Sequence, residues 1–306
     1  MVIIVSDQSD KTTQIVSSYL QKMDSDFIIL TDNSSPDVSI ENFIDKNIKL
    51  ANGVWLRRGN IPLNNMQENS LNEERITFQD YLHFKLEKHP NSIGSLRKEY
   101  YHNKLIDLEL ASHVGLQIPL TTIFNNKVQL KSLFQENPNV EFITKSMKNP
   151  IRSKEGNCIV NYGYTIEVIP DFNSMPDEFA PSLVQEKIEK LIEIRAFFLC
   201  GNCYSMAIFS QSDEQTKLDY RYYNTNTPNR NVPYSLPEEI EIKIRELMDR
   251  IGLNCGSIDL ILTPSHEYVF LEVNPVGQFS GLSEKCNYSL EKIIANYLNN
   301  THEIEN

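Results

Sequence analysis

No run in this 306-residue sequence approaches the roughly 20 apolar residues that a membrane span requires, so no membrane partner is expected. The first apolar run, Val2 to Val5, has no basic residue ahead of it and is too short for a secretion signal. Cysteine is sparse and odd in number, five in all, which argues against a secreted disulfide framework. The expectation is a cytoplasmic protein with free thiols. Basic charge is in deficit: 29 Lys and Arg face 41 Asp and Glu, a net charge of −12. A nucleic-acid partner is therefore not expected, although a local basic pocket for phosphates is compatible with that total. The sequence holds no Gly-x-x-x-x-Gly-Lys-Ser/Thr loop and no Gly-x-Gly-x-x-Gly fingerprint, and its six histidines have no metal-ligand spacing. It also lacks internal repeats and low-complexity tracts.

What is present is an ordinary globular composition, 40% hydrophobic and 23% charged, long enough for two or three domains. The first ~90 residues read as a small α/β unit. Val2–Val5, Phe27–Leu30 and Gly53–Arg58 are strands, with a helix around Ile15, Val16, Tyr19 and Leu20 between the first two. That order implies parallel pairing through a crossover. A polar helix over Leu71–Lys88 follows. The middle opens on a helix capped by Asn103 and closed by Gly115, with Pro119 barring its continuation. Strands are expected near Leu120–Phe124, Glu141–Lys145, Tyr164–Val168 and Leu183–Ile188, with a helix near Val128–Phe134. The polar stretch Met147–Tyr162 reads as a mobile loop. In the last third, Ile194–Cys200 and Cys203–Phe209 flank a tight turn at Gly201-Asn202. Ser235 and Glu238 form a capping-box pattern ahead of a helix through Ile240, Ile244, Leu247 and Ile251. Ser257–Leu262 and Tyr268–Asn274 are strands, and Leu290–Leu298 is the last helix.

The strongest chemical signal lies in that final strand pair. Side chains alternate along a strand, so Glu272 and Asn274 share a face while Val269, Leu271 and Val273 point away. If Pro264–Glu267 is a four-residue hairpin loop, Thr263 pairs with Tyr268, and counting back sets Asp259 opposite Glu272. Like charges so placed destabilise a sheet. A hard cation removes the penalty, and an all-oxygen set suits Mg²⁺ shared with phosphates. The plain alternative is a solvated hairpin face. Lys104 sits in the first turn of its helix, where the dipole disfavours a cation unless a phosphate joins it. Lys145 lies in the apolar strand Phe142-Ile143-Thr144, and Arg195 lies on a strand that otherwise reads apolar, where a guanidinium needs a phosphate or carboxylate. Arg57 and Arg58 end a core strand and are read either as solvated or as peptide-binding. Cys200-Gly201-Asn202-Cys203 reads as two cysteines flanking a turn, with no second pair for zinc.

Taken in order, Asn103-Lys104, Lys145, Val184-Gln185-Glu186-Lys187-Ile188, Glu193-Ile194-Arg195, Asp219-Tyr220-Arg221, Ser257-Ile258-Asp259 and Glu272-Val273-Asn274-Pro275 resemble the ATP-grasp ligases. The run Glu272 to Phe279, with Ser283, Cys286-Asn287-Tyr288, Leu290-Glu291 and Trp55-Leu56-Arg57-Arg58, resembles the graspetide maturases of the grasp-with-spasm type. The resemblance implies an α/β (α+β) ATP-grasp fold in three parts: a pre-ATP-grasp domain at 1–95, a central subdomain at 96–190 and a C-terminal antiparallel-sheet subdomain at 191–306. It implies that Lys104 and Lys145 meet the nucleotide phosphates, that Gln185, Glu186 and Ile188 meet adenine, and that Glu193 meets ribose. Asp259, Glu272 and Asn274 match the ligands of Mg²⁺, as two ions. Arg195 matches an arginine near the γ-phosphate, and Asp219 and Arg221 a motif for the acceptor carboxylate. The implied activity joins Asp or Glu side chains of a ribosomally made precursor, leader plus core, to Ser/Thr hydroxyls or Lys amines through acyl phosphates. A homodimer is a further expectation. The alternatives are a ligase joining two separate molecules and a nucleotide-binding partner without catalysis. One departure is the presumed phosphate-covering loop Ser153-Lys154-Glu155-Gly156, which is poor in glycine.

Overall fold

The structure is a computed structural model that describes residues 1–7, 9–31, 39–61, 72–148, 151–155, 158–162 and 165–299, with 151–155 and 158–162 described as backbone alone. The chain begins with β1 (Val2–Val5), α1 (Lys11–Lys22), β2 (Phe27–Leu30), α2 (Ile40–Ile48), β3 (Gly53–Leu56), α3 (Asn72–Glu87) and β4 (Ser92–Ile93). The four strands make a parallel sheet in the order β2-β1-β3-β4. β1 and β3 are buried at every position. Val2, Ile4 and Trp55 enter one core, and Ile3, Val5, Val54 and Leu56 another. Helices cover both faces of such a sheet, so its strands read as unbroken apolar runs. Asp10 caps α1 by accepting from the Thr12 and Thr13 amides. Leu71, the expected start of α3, lies outside the described residues.

Next come α4 (Leu96–Tyr100), α5 (Lys104–His113), β5 (Thr121–Asn126), α6 (Lys127–Glu136), β6 (Phe142–Thr144), β7 (Ile151–Glu155), β8 (Cys158–Tyr162), β9 (Ile166–Glu167) and β10 (Glu178–Glu186). β5-β10-β6-β9 is an antiparallel sheet, and β7 pairs with β8 as a hairpin. The expected mobile loop over Met147–Tyr162 is thus largely sheet. The backbone pairing runs from Ile151 with Tyr162 to Glu155 with Cys158. Of the phosphate-covering loop, Ser153–Glu155 lie in β7, while Gly156 lies outside the described residues. Asn103 caps α5 by accepting from the Leu105 amide, and Gly115 follows it with φ +78.

The remainder is β11 (Ile192–Leu199), β12 (Asn202–Phe209), β13 (Arg230–Tyr234), α7 (Glu238–Ile251), β14 (Cys255–Leu262), β15 (Tyr268–Asn274), α8 (Ser280–Cys286) and α9 (Leu290–Leu298). The strands form an antiparallel sheet ordered β13-β12-β11-β14-β15. One face of β11, with Ile192, Ile194, Ala196 and Phe198, packs on α5 and α7. Phe197 and Leu199 on the other face join α8, α9 and the first sheet in a shared core. α9 closes on β3 because residue 53 is glycine: a Cβ there would stand 2.4 Å from the Leu298 carbonyl oxygen. Two local expectations shift. The β11–β12 turn is Cys200-Gly201, both with positive φ, and Asn202 already pairs with Leu199. No capping box forms, because Pro237 takes the cap position of α7 and leaves Ser235 two residues outside it.

Candidate active site

Three neighbouring strands set three charged side chains in one row. Arg195 on β11 stands opposite Asp259 on β14, and Asp259 stands opposite Glu272 on β15. Directly opposed side chains share a face. Arg195 donates to both oxygens of Asp259, from Nε at 2.8 Å and from a terminal nitrogen at 2.7 Å. Glu272 carries Lys104 Nζ at 2.9 Å and Lys145 Nζ at 3.9 Å. Asn274 Nδ2 lies 3.5 Å from an oxygen of each carboxylate. Glu272 is only 8% exposed, so this is no solvated hairpin face.

The Asp259–Glu272 pairing arises by a different route from the one expected. The hairpin loop has five residues, 263–267, so Leu262 pairs with Tyr268 and the register begins one place off. An irregularity between Asp259 and Leu260 then inserts Leu271 as an extra residue and restores the pairing. The bulge also turns Leu271 around. Expected to face away from Glu272, it lies beside it on the cleft side, while Phe270 and Val273 enter the core.

The row faces a cleft of about 580 Å³ between the second sheet and the five-stranded sheet. Lys145, Arg221, Asp259 and Glu272 line it together with Gln185, Glu186, Ile188, Glu193, Ile143, Ile261 and Leu271. Gln185 is fully buried, donates to Thr121 Oγ1 at 2.8 Å, and keeps its Oε1 without a partner. Glu186 accepts from the Leu120 amide. Glu193 uses one oxygen for both Ser210 (2.6 Å) and Lys190 (3.0 Å). Asp219 grips Arg221 at Nε and a terminal nitrogen, and accepts from the Thr165 amide at 3.2 Å. Burial would raise the Glu272 carboxyl, but Lys145 and Lys104 hold it down at about 2. Burial pushes the Lys145 ammonium below its ordinary range against the pull of Glu272, and Lys104 and Arg221 push the same way. Burial pushes Glu193 up. Burial would raise Asp219 too, and Arg221 brings it below the usual carboxylate range.

All of the expected nucleotide, metal and acceptor residues thus meet in or beside one cleft. Arg57 and Arg58 do not join them. Arg57 is 3% exposed: Nε donates to Asp10 at 3.1 Å, and Nη1 to the carbonyls of Val276 (2.6 Å) and Gly277 (2.9 Å). These contacts tie Arg57 to the protein itself, outside the nucleotide cleft, beside a second cavity that it lines with Arg58. Arg58 lies 3.4 Å from Asp10 at a separate cavity. Cys200 and Cys203 pack into different cores, on opposite sides of the sheet, so they form no redox or zinc pair. Sequence reasoning missed Lys190, which braces Glu193 and the Leu218 carbonyl. No local pattern pointed to it, because Lys190 lies in irregular chain just ahead of β11. It also missed Tyr220, stacked 5.5 Å from the Arg195 guanidinium.

Among the described residues no three His, Cys, Asp or Glu side chains converge as a metal cage. The set here is two carboxylates and one amide, a hard-oxygen set too small to hold Mg²⁺ alone but suited to share it with phosphate oxygens. Cations now compensate both carboxylates, and a half-turn of the Asn274 amide brings its oxygen to bear. The residues fit the ion.

Nearly the whole chain aligns with solved ligase structures. A Chryseobacterium gregarium RiPP-associated ATP-grasp ligase, in complex with ADP and a leader and core peptide, matches with TM-score 0.75 and 23% identity over 97% of this chain and 96% of that one. The macrocyclase MdnC of Microcystis aeruginosa MRC, bound with precursor peptide MdnA, matches with TM-score 0.73 and 25% identity over 98% and 99%. The ATP-grasp ligase PsnB, complexed with a minimal precursor, matches with TM-score 0.73 and 16% identity over 97% of each chain. No protein-family model matches the sequence, and no curated protein does. No helix among the described residues is long and apolar enough to cross a membrane.

Proposed function

We propose that this chain, an ATP-grasp ligase by fold, is an ATP-dependent macrocyclase of a ribosomally made precursor peptide. The observation that carries the proposal is the row Arg195–Asp259–Glu272, braced by Lys104 and Lys145, whose carboxylates line a cleft of about 580 Å³. The proposed parts are 1–95, 96–190 and 191–306, with the cleft between the sheets of the second and third.

Adenine lies against Gln185, Glu186 and Ile188, ribose against the unused oxygen of Glu193, and the phosphates against Lys104 and Lys145. Asp259, Glu272 and Asn274 would hold Mg²⁺, as two ions, and the bound metal would supply neutralisation of phosphate charge. Arg221, fixed by Asp219 at two nitrogens, offers its remaining terminal nitrogen to a peptide Asp or Glu. One oxygen of that carboxylate attacks the γ-phosphorus, the bond to the bridging oxygen breaks, and ADP leaves. Arg195 stabilises the transferring group. A Ser/Thr hydroxyl or Lys amine of the same peptide then attacks the acyl phosphate, phosphate departs, and the proton passes to solvent. An ester or amide ring results.

The test is mass spectrometry of the precursor incubated with the protein, ATP and Mg²⁺. Ring closure removes one water per bond. Addition of a residue to the peptide would instead identify a ligase joining separate molecules, and ADP release with unaltered peptide would overturn both.

A further inference from the structure

Arg57 was expected either at the solvent or on the peptide; it is buried, with its guanidinium bonded within the protein. Its guanidinium sits between the Trp55 and Phe279 rings, 5.9 and 5.5 Å from their centroids, and spans two distant parts of the chain. On one side Nε meets Asp10, the cap of α1. On the other, Nη1 takes the Val276 and Gly277 carbonyls. Those carbonyls belong to the turn that leaves β15. The Gly277 amide closes that turn on the Asn274 carbonyl at 3.0 Å. Gly277 has φ +55, and a Cβ there would stand 3.0–3.1 Å from Phe197 and the Gly256–Ser257 backbone. The turn is therefore wedged against β11 and β14 and fastened by one guanidinium.

Asn274 is the member of the metal set that most needs such a fastening. Asp259 is held by Arg195 and Glu272 by two lysines, whereas the Asn274 amide has only two contacts at 3.5 Å. It is the last residue of β15, paired with Ser257 at the final rung, so its setting depends on the turn that follows. The cap of the first helix, the end of the third strand and the exit of the metal strand thus form one connected unit.

We propose that Arg57 is a positioning residue for the Mg²⁺ site: by holding the Asn274–Gly277 turn to the capped α1, it sets the Asn274 side chain for the ion. The inference rests on the metal assignment above. Lysine at position 57 keeps the charge but lacks the fork that meets Asp10 and two carbonyls together.

The experiment is calorimetric binding of ADP across a Mg²⁺ series, with thermal unfolding of each variant alongside. Arg57→Lys should raise the Mg²⁺ concentration at half-effect by about tenfold, as loss of a supporting partner does at metal sites, while ADP affinity at saturating Mg²⁺ stays near the parent's. Asn274→Ala should do the same, and the double variant should be no worse than Asn274→Ala alone. Asp10→Asn keeps a capping side chain but removes the Arg57 counter-charge, so it should move Mg²⁺ dependence the same way and by less. If Arg57→Lys does not fold, Asp10→Asn carries the test. An unchanged Mg²⁺ requirement in the folded variants, or additive effects of Arg57→Lys and Asn274→Ala, would overturn the proposal. Failure of the parent itself to bind ADP in a Mg²⁺-dependent way would overturn the metal assignment instead.

Discussion

Replacing Glu272 by glutamine removes one charge and almost no volume from the most densely charged point of the molecule. Lys104 at 2.9 Å and Lys145 at 3.9 Å attract the carboxylate by about 6 and about 4 kcal/mol at an effective dielectric near 20. Burying the three ions takes back most of that. The net is read from the carboxyl itself: held at about 2 instead of 4.5, it contributes about 3 kcal/mol to the folded state. That contribution is complete above pH 4.5 and is lost as the pH falls through about 2. Lys145 offsets part of it, because burial pushes its ammonium down. Glu272→Gln should therefore lower the unfolding temperature at neutral pH by about 6 °C, with the gap to the parent closing in acid. Two lysines would then face each other without a counter-charge, so adding Lys145→Met should recover much of the loss. Mg²⁺-dependent ADP binding and peptide turnover should stay abolished in both variants. Thermal unfolding, calorimetry and peptide mass spectrometry on one set of preparations give all three readings. Additive destabilisation by Glu272→Gln and Lys145→Met, or turnover near the parent's in Glu272→Gln, would refute the reasoning.

Lys145→Ala and Lys104→Ala should each weaken ADP binding by about tenfold, with less effect on adenosine, as read by calorimetry; equal losses for both ligands would move the lysines away from the phosphates. Arg221→Lys should keep ADP affinity but slow water loss from the peptide by about a hundredfold, since an ammonium cannot meet Asp219 and an acceptor with the same fork. Parent-like cyclisation in that variant would make Arg221 an ordinary loop residue. The Tyr220 hydroxyl is buried without a partner, so Tyr220→Phe should leave turnover unchanged and raise stability by about 1 kcal/mol. Lost turnover would show that the hydroxyl meets substrate.

The site was legible where chemistry and periodicity agreed. Asp259, Glu272 and Asn274 announced themselves because acids at alternate positions conflict with an apolar strand pair. Arg195 did so because a guanidinium on a buried strand needs an anion. The bulge at Leu271 was not legible, because an apolar residue fits a core and a cleft wall equally well, and only the loop length decides the register. The β7–β8 hairpin was hidden by its charges, whose side-chain pattern resembles a loop although the backbone pairs from Ile151 to Glu155. Arg57 was misplaced for a tertiary reason: its partners, Asp10, Val276 and Gly277, lie far away in sequence, and no local pattern points to a guanidinium folded inward.

Activation of a peptide side-chain carboxylate by phosphorylation in this cleft is tested most directly with heavy oxygen. A precursor peptide whose Asp and Glu carboxylates carry the label is incubated with the protein, ATP and Mg²⁺, and the released phosphate is weighed by mass spectrometry. One labelled oxygen should appear in phosphate for each water lost from the peptide, because the oxygen that attacks the γ-phosphorus leaves with it. Rings forming while the phosphate stays unlabelled would contradict an acyl-phosphate route, and with it the roles given to Arg195 and Arg221.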